Sequence, residues 1–157
     1  MKKLLAGAAA LISVLLPLFA FEGSPVADAA ANRDFAAVKT LLAQKADVNA
    51  AQADGSTALH WAVYWNNAEA VDLLLKAGAD PNSANELGTT ALMQAAGAGN
   101  IAVVTALVSQ GADVNAKEKS RQQTPLMFAS ARNRAEVVKF LASRGARLDE
   151  VSRMATN

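Results

Sequence analysis

The chain has 157 residues, 52% apolar but only 5% aromatic, with 15 basic and 14 acidic residues for a formal charge of +1. That length suits one domain of ordinary size, whose core Ala, Leu and Val must build. The near-neutral balance argues against a nucleic-acid binder. One histidine and no cysteine exclude a zinc site. The chain opens on Met1-Lys2-Lys3 and an uncharged run from Leu4 to Ala20. A basic start, an apolar stretch and small residues beyond it describe a secretory signal peptide. An uncleaved membrane anchor and a buried helix are the alternatives, although the run is near the minimum for a span and Pro17 interrupts it.

Ala27-Asp28-Ala29 has the form of a cleavage site, but cutting there would remove most of a helix that the next segment needs. Cleavage near Ala20 is therefore the expectation. It would remove two lysines and turn the charge from +1 to −1. The lack of cysteine suits a compartment outside the cytoplasm without requiring one.

From Ser24 onward the chain repeats itself. Thr57, Thr90 and Thr124 recur at intervals of 33 and 34 residues, as do Gly78, Gly111 and Gly145. Asp47, Asp80 and Asp113 lie 33 apart. A fixed period of this length indicates a solenoid of stacked units. TALHWA from Thr57, TALMQA from Thr90 and TPLMFA from Thr124, with the three Gly-Ala sites and the Asp-x-Asn triplets, resemble the ankyrin repeat. The likeness, to an exported bacterial member of that family, runs from Ser24 to about Val151. It implies an all-α solenoid of helix-turn-helix units with short β-hairpin fingers. The expected boundaries are a leader over 1–20, repeats over 24–53, 54–86, 87–120 and 121–153, and a tail over 154–157.

In the first repeat, Ser24 before Pro25 is a good helix start, with the hydroxyl placed to cap free amides. Phe35, Val38, Leu41 and Leu42 follow helical spacing. Lys45 stands where the other repeats have Gly78, Gly111 and Gly145, a place that wants a left-handed backbone.

The second repeat carries His60. The resemblance implies a structural role, hydrogen bonds that involve Thr57 and tie one hairpin to the next. Met93 and Met127 replace it in the following copies, which are expected to be looser. Trp61, Tyr64 and Trp65 crowd three large rings into five residues. The resemblance places Tyr64 and Trp65 on the concave side of a first helix, beside the small pair Gly97-Ala98 and Arg132 of the next copies. A ledge and an adjoining hollow are expected there, suited to anchoring a partner. Packing of Trp61 on the neighbouring repeat is the alternative for that residue.

The third repeat reads as scaffold, with Gly97 costing about 1 kcal/mol against alanine inside its first helix. Between it and the fourth repeat, the segment from Lys117 has one extra residue, and Gln122 replaces the hairpin glycine seen as Gly55 and Gly88. This finger is expected to bend differently. Its residues Lys119, Ser120, Arg121 and Gln123, with Asp54 and Leu87 of the other fingers, join the candidate binding surface; chance drift of a loop is equally open. Val138 and Phe140 suggest that the last repeat is an incomplete cap.

Charge divides along the chain. Residues 21–116 hold 4 basic and 10 acidic residues, a net of −6, whereas 117–157 hold 9 and 4, a net of +5. Such polarity orients a charged partner, and Arg132 and Arg134 are well placed for one. No phosphate loop, nucleophile elbow or metalloprotease motif is present, so no enzyme, cofactor or small-molecule substrate is expected.

The candidate protein-binding set is Trp61, Tyr64, Trp65, Gly97, Ala98 and Arg132, with Asp54, Leu87, Lys119 and Arg121. His60, Thr57, Gly78, Gly111 and Gly145 are structural, and no residue is assigned to catalysis or metal binding. The sequence thus points to a monomeric, exported module that binds a protein and touches membrane only through an uncleaved leader. A periplasmic adaptor or helper, an inhibitor of an envelope-acting toxin and a secreted effector all fit. An inner-membrane anchor is the alternative localisation.

Overall fold

Each copy folds as two short antiparallel helices because its turns are written into the chain at fixed places. The computed structural model describes residues 23–148; the leader, its cleavage site and the tail lie outside them. The first helices are α1 (Pro25–Ala31), α3 (Ala58–Tyr64), α5 (Ala91–Ala98) and α7 (Pro125–Ala131). The second helices are α2 (Phe35–Ala43), α4 (Ala68–Lys76), α6 (Ile101–Ser109) and α8 (Ala135–Ser143). Between partners, Arg33, Asn66, Gly99 and Asn133 take positive φ and reverse the chain.

The second helix then starts on a capping side chain. Asp34 accepts from Ala37 N at 2.9 Å, Asn67 from Ala70 N at 3.0 Å and Asn100 from Val103 N at 3.2 Å. Arg134 holds the same place before α8 and caps nothing with its side chain. Ser24, expected to cap α1, makes no side-chain cap either, and its hydroxyl lies 3.4 Å from Asp28 Oδ1 instead.

Every second helix stops in the same way. Lys45, Gly78, Gly111 and Gly145 adopt positive φ, and the following alanine donates its N–H five residues back, to Leu41, Leu74, Leu107 and Leu141. That alanine is buried each time, at Ala46, Ala79, Ala112 and Ala146. The Gly-Ala dipeptide is therefore a left-handed stop followed by an apolar plug. Lys45 reaches the same conformation with φ 60° against the cost of its side chain.

Stacking buries a continuous core. Val38, Val71, Val104 and Val137 are each buried in one cluster with Leu59, Leu74, Leu92 and Leu107. The alanine-rich first helices approach one another more closely than the second helices do. The stack therefore curves, with the first helices on its inner face.

A ladder of asparagines joins the copies outside the core. Asn49 accepts from Asp80 N at 2.8 Å and donates to Gly78 O at 3.1 Å. Asn82 does the same to Asp113 N and Gly111 O, at 2.7 and 2.9 Å. Asn115 repeats it on Arg147 N and Gly145 O. Asp47, Asp80 and Asp113 fix each asparagine by accepting its backbone N–H at 2.9 Å.

Candidate binding site

Helix α3 ends on the inner face, and its last turn carries the ring cluster. Tyr64 is 63% exposed. It stands edge-on between the two indoles, 5.6 Å from Trp61 and 4.9 Å from Trp65. Both indoles are half-buried and tied down. Trp61 Nε1 donates to Gln52 Oε1 at 2.7 Å, and Gln52 in turn donates to Asp28 Oδ1 at 2.7 Å. Trp65 Nε1 donates to the carbonyl of Ala31 at 3.2 Å, while Arg33 lies over its ring at 4.6 Å. The tryptophans thus brace the tyrosine against the first repeat and its finger.

Two hollows flank Tyr64. The first, of about 320 Å³, runs across α3, α5 and α7 between Val63, Tyr64, Met93, Gln94, Gly97, Ala98, Phe128 and Arg132. Gly97 is buried in its floor, and a Cβ there would come 3.4 Å from Arg132 Nη1. The absent side chain of Gly97 leaves the room. The second hollow, of about 270 Å³, opens toward the fingers between Asp54, Ser56, His60, Trp61, Tyr64, Asn85 and Gln94. Gln94 lies between the two, and its side-chain oxygen is buried without a hydrogen-bond partner. Tyr64, Gly97, Ala98 and Arg132 therefore meet at one hollow, and Asp54 and Trp61 at the other.

The fingers stand beside them. Each joins the next through one backbone bond, Glu86 N to Asp54 O at 2.8 Å and Lys119 N to Leu87 O at 2.9 Å. Leu87 is 68% exposed at a tip, and Asp54, Lys119 and Arg121 are also exposed. Asp54 accepts from Ser56 N and Ser56 Oγ, both at 2.9 Å, and the Ser56 amide leads in holding its carboxyl below the usual carboxylate range.

In the third finger, Gln122 takes the left-handed conformation that Gly55 and Gly88 take in the others, with φ 58°. The extra residue is accommodated by Glu118. Its carboxylate accepts from Ser120 N, Ser120 Oγ, Arg121 N and Gln123 N at 2.6 to 3.0 Å. Burial alone would push this carboxyl up, yet the donors together pull it down to about 2. Sequence reasoning missed Glu118. The available signal was an acid at the place of Gln52 and Asn85, directly before the lengthened turn.

The sequence matches the family described as ankyrin repeats (3 copies) over residues 2–85 and 78–152. The chain belongs to the ankyrin repeat family. Its fold is an all-α solenoid, and ankyrin repeats are protein–protein interaction modules. No curated protein matches the chain.

In this ankyrin stack His60 is a tie between repeats. It is buried, and its Nδ1 accepts the Thr57 N–H at 3.2 Å beside Thr57 Oγ1 at 3.0 Å. That leaves the proton on Nε2, which donates to Thr89 O at 3.0 Å across to the next repeat. Burial lowers its pKa, against smaller opposing effects of the Thr89 carbonyl and Asp54. Met93 keeps half of this arrangement, its sulfur lying 3.5 Å from Thr90 N. A thioether has no proton to pass onward. Among the described residues, no three His, Asp or Glu side chains gather as a metal site requires.

Proposed function

We propose that this ankyrin repeat chain is an exported, non-catalytic module that holds one protein partner through its inner face and fingers, as an adaptor or helper in the periplasm. The observation that carries the reading is Tyr64, exposed between two hollows and braced by both tryptophans. A rigid, amphipathic ring beside an unfilled apolar space is the usual chemistry of an interface anchor. Export is supported by the basic and apolar leader and by the absence of cysteine. The module acts as a monomer and binds no nucleic acid in this reading.

The charge polarity favours a second form of the same role. A net −6 over residues 21–116 against +5 over 117–157 would steer fast, oriented association, which suits an inhibitor of an envelope-acting toxin. Fractionation of cells producing the chain with and without residues 1–20 tests the setting, and capture from an envelope extract with wild-type and Tyr64→Ala baits tests the surface. The reading expects the chain in the periplasmic fraction and one protein lost by the Tyr64→Ala bait. Cytosolic accumulation of the chain, or equal recovery by both baits, would sink it.

A further inference from the structure

We propose that the apolar hollow takes an acidic residue and an adjacent large apolar residue from an extended segment of the partner protein, with the carboxylate held by Arg132. The proposal rests on the inner-face reading above and adds the chemistry of what is held. Arg132 forms a wall of the hollow, and the ion pairs among the described residues, Lys39–Glu69 and Lys76–Asp72, do not involve it. A guanidinium beside apolar walls with no counter-charge matches a carboxylate in both charge and planar geometry.

Arg134 supplies the second observation. Three repeats place a capping Asp34, Asn67 or Asn100 at this position, and the fourth places a cation that caps nothing. A positive side chain at a helix N-terminus opposes the helix dipole. Its Nε instead donates to Gly97 O at 3.1 Å, which ties the start of α8 to the helix that forms the hollow's floor. A local rule broken beside a pocket marks a functional demand. Glu136, in the first turn of α8, forms an ion pair with neither arginine.

The hollow itself sets the rest. Its volume of about 320 Å³ between Tyr64, Met93 and Phe128 accepts one large apolar side chain. The buried Gln94 oxygen lacks a donor, and a backbone N–H of an extended segment would supply one. A phosphate backbone is disfavoured relative to a segment with one carboxylate, because the net −6 of residues 21–116 repels every further charge that a polyanion carries.

The test selects a phage-displayed random peptide library on purified wild-type and Arg132→Glu baits in parallel, then measures the winners by fluorescence anisotropy. Wild type is expected to enrich an Asp or Glu next to Phe, Leu, Met or Trp. Replacing that acid by its amide should weaken binding by about tenfold or more. Arg132→Glu should lose these peptides while keeping the wild-type melting temperature. Gly97→Ala should weaken binding while its melting temperature holds or rises, which separates filling the hollow from damaging the fold. Enrichment without an acid, retrieval of the same peptides by Arg132→Glu, or no enrichment at all would overturn the proposal. So would tighter binding of an oligonucleotide or of anionic lipid vesicles than of any peptide. If only the peptide result fails while Tyr64→Ala still loses the captured protein, the inner-face reading stands and the acidic segment falls.

Discussion

Among the described residues, Glu118 and His60 are the titratable side chains that the fold buries, and each must keep one charge state. Glu118 must stay ionised to accept its four donors. Its folded pKa of about 2 lies below the ordinary 4.5, so its stabilisation is full above 4.5 and is lost as pH falls toward 2. His60 must stay neutral. With its folded pKa below 6.5, the unfolded chain takes up the proton first, so stability falls as pH drops from about 6.5. Acid denaturation followed by circular dichroism should therefore begin near pH 6.5 and steepen below 4.5. In His60→Leu the first shoulder should vanish, although the variant starts less stable because the Thr57 amide and Thr89 carbonyl lose their partner. Glu118→Gln should cost about 1–3 kcal/mol in urea titration, since an amide offers one acceptor oxygen where two are used. Lys45→Gly should gain about 1 kcal/mol by relieving the left-handed residue at φ 60°; a loss would mean that the lysine side chain contributes a contact of its own.

Helices and turns were readable in the sequence because each is decided within a few residues. The Gly-Ala stops, the Thr starts and the 33-residue spacing are local instructions, and the eight helices follow them. Legibility ends where a residue departs from the repeat and its purpose lies in the next copy. Glu118 looks like one more surface acid until the turn amides are seen around it. Arg134 looks like a surface cation until its bond to Gly97 is seen. The same holds for Asn49, Asn82 and Asn115, which mark the period in sequence but bridge the copies in space. Tyr64, Gly97 and Arg132 could be brought together because the period superposes Tyr64 on Gly97 and places Arg132 one residue on, in register with Trp65 and Ala98. At this scale Arg134→Asp is the informative variant. Restoring a cap should stabilise α8 by about 1 kcal/mol, seen as a higher melting temperature and slower amide exchange in that helix. No gain would mean that the bond to Gly97 is worth as much as the missing cap.

Among the described residues the main helix contacts run within a repeat or between adjacent repeats, so the stack's cooperativity depends on the bonds between adjacent copies. Asn82→Ala removes two of them, to Gly111 O and Asp113 N. The expected result is a broader urea transition with a lower slope and a midpoint loss worth about 1–2 kcal/mol, as the two halves begin to unfold separately. An unchanged slope would show that the buried valines and leucines alone carry the coupling. The placement of the rings has a further use. The chain has 2 tryptophans, and both touch Tyr64, one bonded to Gln52 and the other beneath Arg33. Every indole photon the protein emits therefore comes from the rim of the proposed seat, and arrival of a partner can be followed in unlabelled protein as a change in intrinsic emission.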